Sequence, residues 1–188
     1  MHNEEYYIKI FTHIKSASKP EPVVIAAEMK RQVVSGNMQK ASRLGEAIAV
    51  SFREAAEKNE LLSITHNCGV ELSREIKNQA IILSVFTAEY AFNKLLNDPI
   101  LSTTAVSKLY DTLTKDAPEL YNNLLASTAF SFYYMNINTE NVNTDIIGKT
   151  FAELCDDDNN ESLHCYGKTV FCTSLDHYKQ SIASVDFA

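Results

Sequence analysis

Apolar residues recur at helical spacing along most of this chain. Between residues 38 and 58 they fall three or four positions apart, at Ala41, Leu44, Ile48, Phe52 and Ala55. This spacing places them on one face of a helix. The same periodicity predicts helices at 6–14, 22–34, 100–113 and 118–135. A short Ser-Gly-Asn turn separates 22–34 from 38–58, so we expect these two helices to pack as an antiparallel hairpin.

The longest predicted helix, residues 70–96, is apolar nearly all round its middle third. A helix of this kind lies at the centre of a bundle, because it needs neighbours on several sides. Its most apolar window, AIILSVFTAEYAF, has thirteen residues and contains Glu89, so it is too short to span a bilayer. We therefore predict an all-α domain in which seven or eight helices surround helix 70–96.

An Asn-rich stretch at 136–143 predicts an internal boundary. It divides the chain into a helical core domain at 1–135 and an appendix at 136–188 that packs on the same domain. The predicted helix 118–135 precedes this boundary. Its start is marked by Asp116, Pro118 and Glu119, with Asp116 as the capping residue.

Two structures are open for residues 162–172 in the appendix. Aromatic and β-branched residues flank the pair Gly167-Lys168, which is the pattern of a small β-hairpin. A capping box at 173–176 then begins the last helix. Alternatively, that helix begins near Thr169, since Phe171 also fits its apolar face.

Composition narrows the class of protein. A chain of 188 residues suffices for one domain with a sizeable core, and five Gly and four Pro are few for a β-sandwich or barrel. The net charge of −7 weighs against binding to nucleic acid or to an anionic membrane. The N-terminus lacks the apolar run of a signal peptide, so we expect the four cysteines to be reduced thiols in the cytoplasm.

The tripeptide Gly-Lys-Thr, which ends the phosphate-binding loop of many nucleotide-binding proteins, occurs at 148–150 and 167–169. That loop also needs a glycine five residues earlier, so that free backbone N–H groups wrap the phosphates. Asn143 and Ser162 occupy those positions here, which excludes the signature. Around the first copy, Ile147, Phe151 and Leu154 fall at helical spacing, so we predict an amphipathic helix.

Cysteine and histidine gather in the same region, at Cys155, His164, Cys165 and Cys172. They are candidate metal ligands, although they lack the paired spacing of zinc sites and can converge only through the fold. The acidic cluster at 156–158 lacks the glycine and glutamate that a calcium loop requires, and we expect it to be a solvated loop. Cys68 precedes helix 70–96, where a helix dipole favours a reactive thiolate. The favoured interpretation is simpler: Cys68 is a small residue among turn and capping residues.

Two local resemblances carry limited implications. SGNMQKASRLGEAI, residues 35–48, resembles the turn within a tetratricopeptide repeat, but no second copy follows. TDIIGKTFAELCDDDNN, residues 144–160, is similar to a short segment of PAS domains. That resemblance implies a surrounding antiparallel sheet, whereas helix is predicted before the segment and only twenty-eight residues follow it.

The sequence contains no Gly-x-Ser-x-Gly elbow, zinc-protease motif or dinucleotide fingerprint, and we predict neither catalytic residues nor a cofactor. The favoured function is protein–protein association in a regulatory or scaffold role, either with a protein partner or as a homodimer, without nucleic acid or membrane. The alternative is a small-molecule or metal site, enzymatic or not, in the region Cys155–His177.

Overall fold

The computed structural model describes residues 22–58, 68–137 and 142–188. Within these ranges the chain forms eight helices and no strand, which confirms the all-α prediction: α1 (Pro22–Val34), α2 (Asn37–Lys58), α3 (Arg74–Leu95), α4 (Pro99–Asp116), α5 (Pro118–Ala126), α6 (Ala129–Asn136), α7 (Thr144–Leu154) and α8 (Glu161–Ala183). The predicted helix 6–14 lies outside the described residues. Among the described helices, none has the length and apolar composition needed to cross a membrane.

Helix α3 is the central element of the bundle, as its pattern predicts. Every residue from Ala80 to Glu89 is buried, and α3 packs against α8, α4 and α6. The helix begins at Arg74 rather than near residue 70, because the side chain of Ser73 accepts a hydrogen bond from the backbone N–H of Ile76 at 3.3 Å and caps the first turn. The centre of α3 therefore contributes side chains to the core on all sides.

Helices α2 and α4 form the most extensive helix pair, and they approach closely at Gly45. A Cβ atom at Gly45 would lie 2.2 Å from the carbonyl oxygen of Ala105, so only glycine fits there. Helix α1 precedes α2 through a tight turn in which Gly36 has a positive φ of 76°, a conformation that favours glycine. The two predicted helices and the turn between them are confirmed, and their antiparallel packing stays a prediction.

The predicted β-hairpin at 162–172 is wrong, because these residues belong to one continuous helix, α8. That helix begins before either predicted start, since the side chain of Asn160 accepts hydrogen bonds from the N–H groups of Ser162 and Leu163 at 3.0 and 3.1 Å. The capping box at 173–176 lies inside the helix. Packing against α3 overrides the local strand preference, and the sheet implied by the PAS resemblance has no counterpart in the described residues.

A single helix at 118–135 is also wrong. The chain breaks at Ser127 and Thr128 into α5 and α6, and the hydroxyl of Ser127 accepts a hydrogen bond from the N–H of Ala129 at 3.1 Å. Asp116 ends α4 rather than capping α5, whose N-cap is Ala117 without a side-chain hydrogen bond.

Tyr133 on α6 is completely buried, and its hydroxyl lacks a hydrogen-bond partner among the described residues. Replacement by phenylalanine removes an unsatisfied buried group while keeping the ring. We expect Tyr133→Phe to raise the free energy of unfolding by about 1 kcal/mol, measured by urea denaturation. Tyr134→Phe is the matched control, because the Tyr134 hydroxyl donates to Glu89 at 2.6 Å; it should be destabilising. A larger loss of stability in Tyr133→Phe than in the control would contradict this account.

Candidate functional site

Helices α7 and α8 cross at two glycines, and both belong to the Gly-Lys-Thr copies. A Cβ atom at Gly148 would lie 2.4 Å from the carbonyl oxygen of His164, and one at Gly167 would lie 2.4 Å from the Cβ of Phe151. The two glycines therefore allow the helix backbones to approach closely. Phe151 is completely buried and Lys149 is exposed, which confirms the amphipathic helix predicted for the first copy.

The acidic cluster connects α7 to α8. Asp156, Asp157 and Asp158 are exposed, as expected for a solvated loop. Asp156 has a positive φ of 58°, which lets the chain leave α7 and turn back. The ring Nε2 of His164 lies 2.7 Å from the carbonyl oxygen of Asp158, so the histidine ties the first turn of α8 to this loop.

A groove of about 660 Å³ runs beside the α7–α8 pair. It is lined by Asp145, Lys149, His164, Cys165, Lys168, Thr169, Cys172 and Thr173. Three of the four candidate ligands predicted from the sequence, His164, Cys165 and Cys172, therefore line one groove. The ammonium of Lys168 donates to the Asp145 carboxylate at 2.6 Å, and this hydrogen bond lowers the pKa of Asp145.

The fourth candidate, Cys155, lies outside this groove at the end of α7. Its backbone N–H donates to the carbonyl oxygen of Phe151 at 3.1 Å. Burial, with smaller contributions from the charges of Asp156 and Asp157, raises the pKa of the Cys155 thiol to about 11, so the thiol stays protonated at neutral pH. Across the described ranges, no three His, Cys, Asp or Glu side chains are grouped so that they could hold a metal ion.

Cys68 lies beside the groove rather than at a helix terminus, since α3 begins only at Arg74. Its sulfur is 3.7 Å from the hydroxyl oxygen of Thr169 on α8. Burial raises the pKa of the Cys68 thiol, and a hydrogen bond with Cys165 raises it further. Cys68 is therefore too far from the start of α3 for the helix dipole to favour its thiolate.

A buried carboxylate forms a second polar feature, inside the core. Glu89 on α3 is only 4% exposed, and its two oxygens accept hydrogen bonds from Tyr110 on α4 at 2.5 Å and Tyr134 on α6 at 2.6 Å. Burial raises the pKa of Glu89, while both tyrosine hydrogen bonds oppose this rise. Periodicity places Glu89 in an apolar window but gives no indication of its two partners. The arrangement joins three helices through one side chain.

Helix α1 is unusual because most of its apolar side chains are exposed. Val23 and Val34 are 75% and 79% exposed, and Ile25, Met29 and Val33 are also exposed. Gln32 is the one described α1 side chain that is buried. Its amide donates to the carboxylate of Asp98, which caps α4. Helix α1 is therefore anchored by a polar contact and presents an apolar surface to the outside.

Comparisons with protein-family models, with curated proteins and with solved structures find no match for this chain.

Proposed function

We propose that this protein acts by protein–protein association, and that a second copy of the chain binds the exposed surface of α1. The observation that carries the proposal is the outward-facing apolar surface formed by Val23, Ile25, Met29, Val33 and Val34, which we call the α1 face. Exposed apolar surface that is contiguous along one element is characteristic of an interaction site.

A second copy suits the α1 face because the face is nearly uncharged. At 100° per residue, Lys30 lies among the apolar residues, whereas Glu28 and Arg31 lie towards the opposite side and form an ion pair there. Two α1 faces related by a two-fold axis would bury apolar side chains against each other without burying that pair. The exposed Ala26 and Ala27 are small enough to allow close approach of the two helices.

The size of the α1 face determines how tightly two copies of the chain are expected to associate. Helix α1 has 13 residues, which corresponds to a length of about 20 Å. Two such helices in contact form an interface at the small end of the known range, below about 1,200 Å² in total. We therefore expect a weak dimer whose population depends on concentration, which suits a regulatory contact better than a permanent assembly.

Substitution of Val33 by glutamate tests the proposal, because it replaces an apolar contact in the α1 face by a charged carboxylate that would have to be buried in the dimer. By light scattering across a concentration series, we expect the wild-type mass to rise from 21.1 kDa towards twice that value. Val33→Glu should remain monomeric throughout. Met135→Glu is the control, since Met135 is an exposed apolar residue on α6, 82% exposed; it should dimerise like the wild type.

Two results would overturn the proposal. A wild-type protein that stays monomeric at every concentration removes the dimer. Dimerisation that survives Val33→Glu but is lost in Met135→Glu places the interface on α6 rather than on the α1 face.

The alternative, a small-molecule or metal site in the region Cys155–His177, ranks second. Its support is the groove that gathers His164, Cys165 and Cys172. Against it, the two opposite charges of Asp145 and Lys168 already pair with each other at the groove.

The four free thiols are compatible with the reducing cytoplasm expected from the sequence.

A further inference from the structure

We infer that Cys68 and Cys165 are a redox modification site, and that they form an internal disulfide when the protein reacts with a low-molecular-weight disulfide. Both residues are free cysteines. Cys68 lies in the segment before α3 and Cys165 lies in the second turn of α8. The two cysteines are distant in sequence, and the packing of this segment against α8 brings them together.

Thr169 is the residue that both cysteines contact. Its hydroxyl donates to the carbonyl oxygen of Cys165 at 2.8 Å, one helical turn earlier, and lies 3.7 Å from the sulfur of Cys68. Side chains four residues apart on a helix lie on the same side, with Cβ atoms about 5–6 Å apart. Cys165 also raises the pKa of the Cys68 thiol, an effect that acts only between neighbouring groups. These contacts place the two cysteines close enough in space to form a disulfide.

The different surroundings of the two thiols assign their roles. Cys165 is exposed and lines the groove, so it meets the small oxidant first. Its thiolate attacks one sulfur of glutathione disulfide, the S–S bond breaks, and one glutathione thiolate leaves. Cys68 then loses its proton and attacks the Cys165 sulfur, which displaces the second glutathione. In total, two protein thiols and one glutathione disulfide give one protein disulfide and two glutathione thiols.

The other two cysteines are poor partners for Cys165. Cys172 follows it by seven positions on the same helix, which separates them by about 10 Å along the axis, beyond the reach of a disulfide. Cys155 is half-buried at the end of α7, outside the groove. Variants of these two residues therefore serve as controls.

The test is incubation of the native protein with glutathione disulfide, followed by acid quenching, alkylation of the remaining thiols and peptide mapping by mass spectrometry. We expect the number of alkylated cysteines to fall from four to two, with one cross-linked peptide pair that contains Cys68 and Cys165. Cys172→Ser should form the same cross-link. Cys68→Ser should stop at the first step, with one glutathione attached to Cys165.

The second step should accelerate with pH, because burial keeps the pKa of Cys68 above its ordinary value of 9.0. We expect conversion of the mixed disulfide to the internal one to speed up about tenfold per pH unit as far as pH 9, in proportion to the thiolate fraction. Three results would each overturn the inference: four alkylated thiols after treatment, a cross-link between Cys165 and Cys172, or a lasting glutathione adduct in the wild type.

Discussion

Replacing Gly148 by alanine is expected to lower the free energy of unfolding by about 3 kcal/mol, equivalent to a fall in Tm of about 6–12 °C. The added Cβ would lie 2.4 Å from the carbonyl oxygen of His164 and 3.2 Å from its carbon. These are backbone atoms of α8, so no side chain can rotate away to make room. Helices α7 and α8 must separate instead, which opens the packing around Phe151.

The sign of the stability change in Gly148→Ala distinguishes the helix crossing from helix propensity. In an unobstructed helix, glycine to alanine stabilises by about 1 kcal/mol through helix propensity, so a destabilised variant shows that the helix crossing dominates. Lys149→Ala is the control, because it changes the adjacent exposed residue of the same helix and should alter stability by no more than about 0.5 kcal/mol. Urea denaturation followed by circular dichroism measures both. A Gly148→Ala variant as stable as the wild type would contradict the close approach of α7 to α8.

Replacing Glu89 by alanine is expected to cost about 3–5 kcal/mol, because it removes the acceptor of two tyrosine hydroxyls and leaves a cavity between three helices. Both hydroxyls, on Tyr110 and Tyr134, donate to this carboxylate. Glu89→Gln is the matched variant, since its amide oxygen accepts from one tyrosine and its amide nitrogen donates to the other. We expect it to cost only about 1 kcal/mol. Equal losses in the two variants would contradict this account, because glutamine keeps both the volume and the hydrogen-bonding groups of the side chain.

The Glu89→Gln variant also isolates a pH effect. Because burial raises the pKa of Glu89 above its ordinary value of 4.5, the folded state holds this proton more tightly than the unfolded state. The resulting stabilisation is fully present below pH 4.5 and is lost as pH rises through the folded-state pKa. The stability of the wild type relative to Glu89→Gln should therefore decrease with rising pH above 4.5. A difference in stability that stays constant or increases over this range would show that the pKa of the Glu89 carboxyl is not raised in the folded state.

Several helices follow from the sequence because their determinants are local. Helix α1 spans the residues predicted for it, and the α1–α2 turn lies at Gly36, whose positive φ the Ser-Gly-Asn turn anticipates. The central position of α3 follows from apolar residues on every side of its middle. Periodicity and turn residues act over a few positions, so one sequence suffices to recognise them.

Where the prediction failed, packing decided the outcome. Residues 162–172 have strand-like composition, yet they are helical because α8 lies against α3, where the hydroxyls of Ser84 and Ser174 meet at 3.2 Å. Gly167, expected in a hairpin turn, instead gives Phe151 room at the α7–α8 crossing. The free energy by which these residues favour a strand is smaller than the free energy gained when a helix buries a whole face.

By itself, the sequence determined the fold class, most helix positions and the set of groups available for chemistry. Only the tertiary structure decided that His164, Cys165 and Cys172 line one groove while Cys155 lies outside it. It also decided that Cys68 contacts Thr169 on α8 and that the apolar residues of α1 face outwards. The physical reason is that helix formation depends on neighbours three or four positions away, whereas these contacts join helices far apart in the chain. Their geometry depends on the packing of the whole bundle.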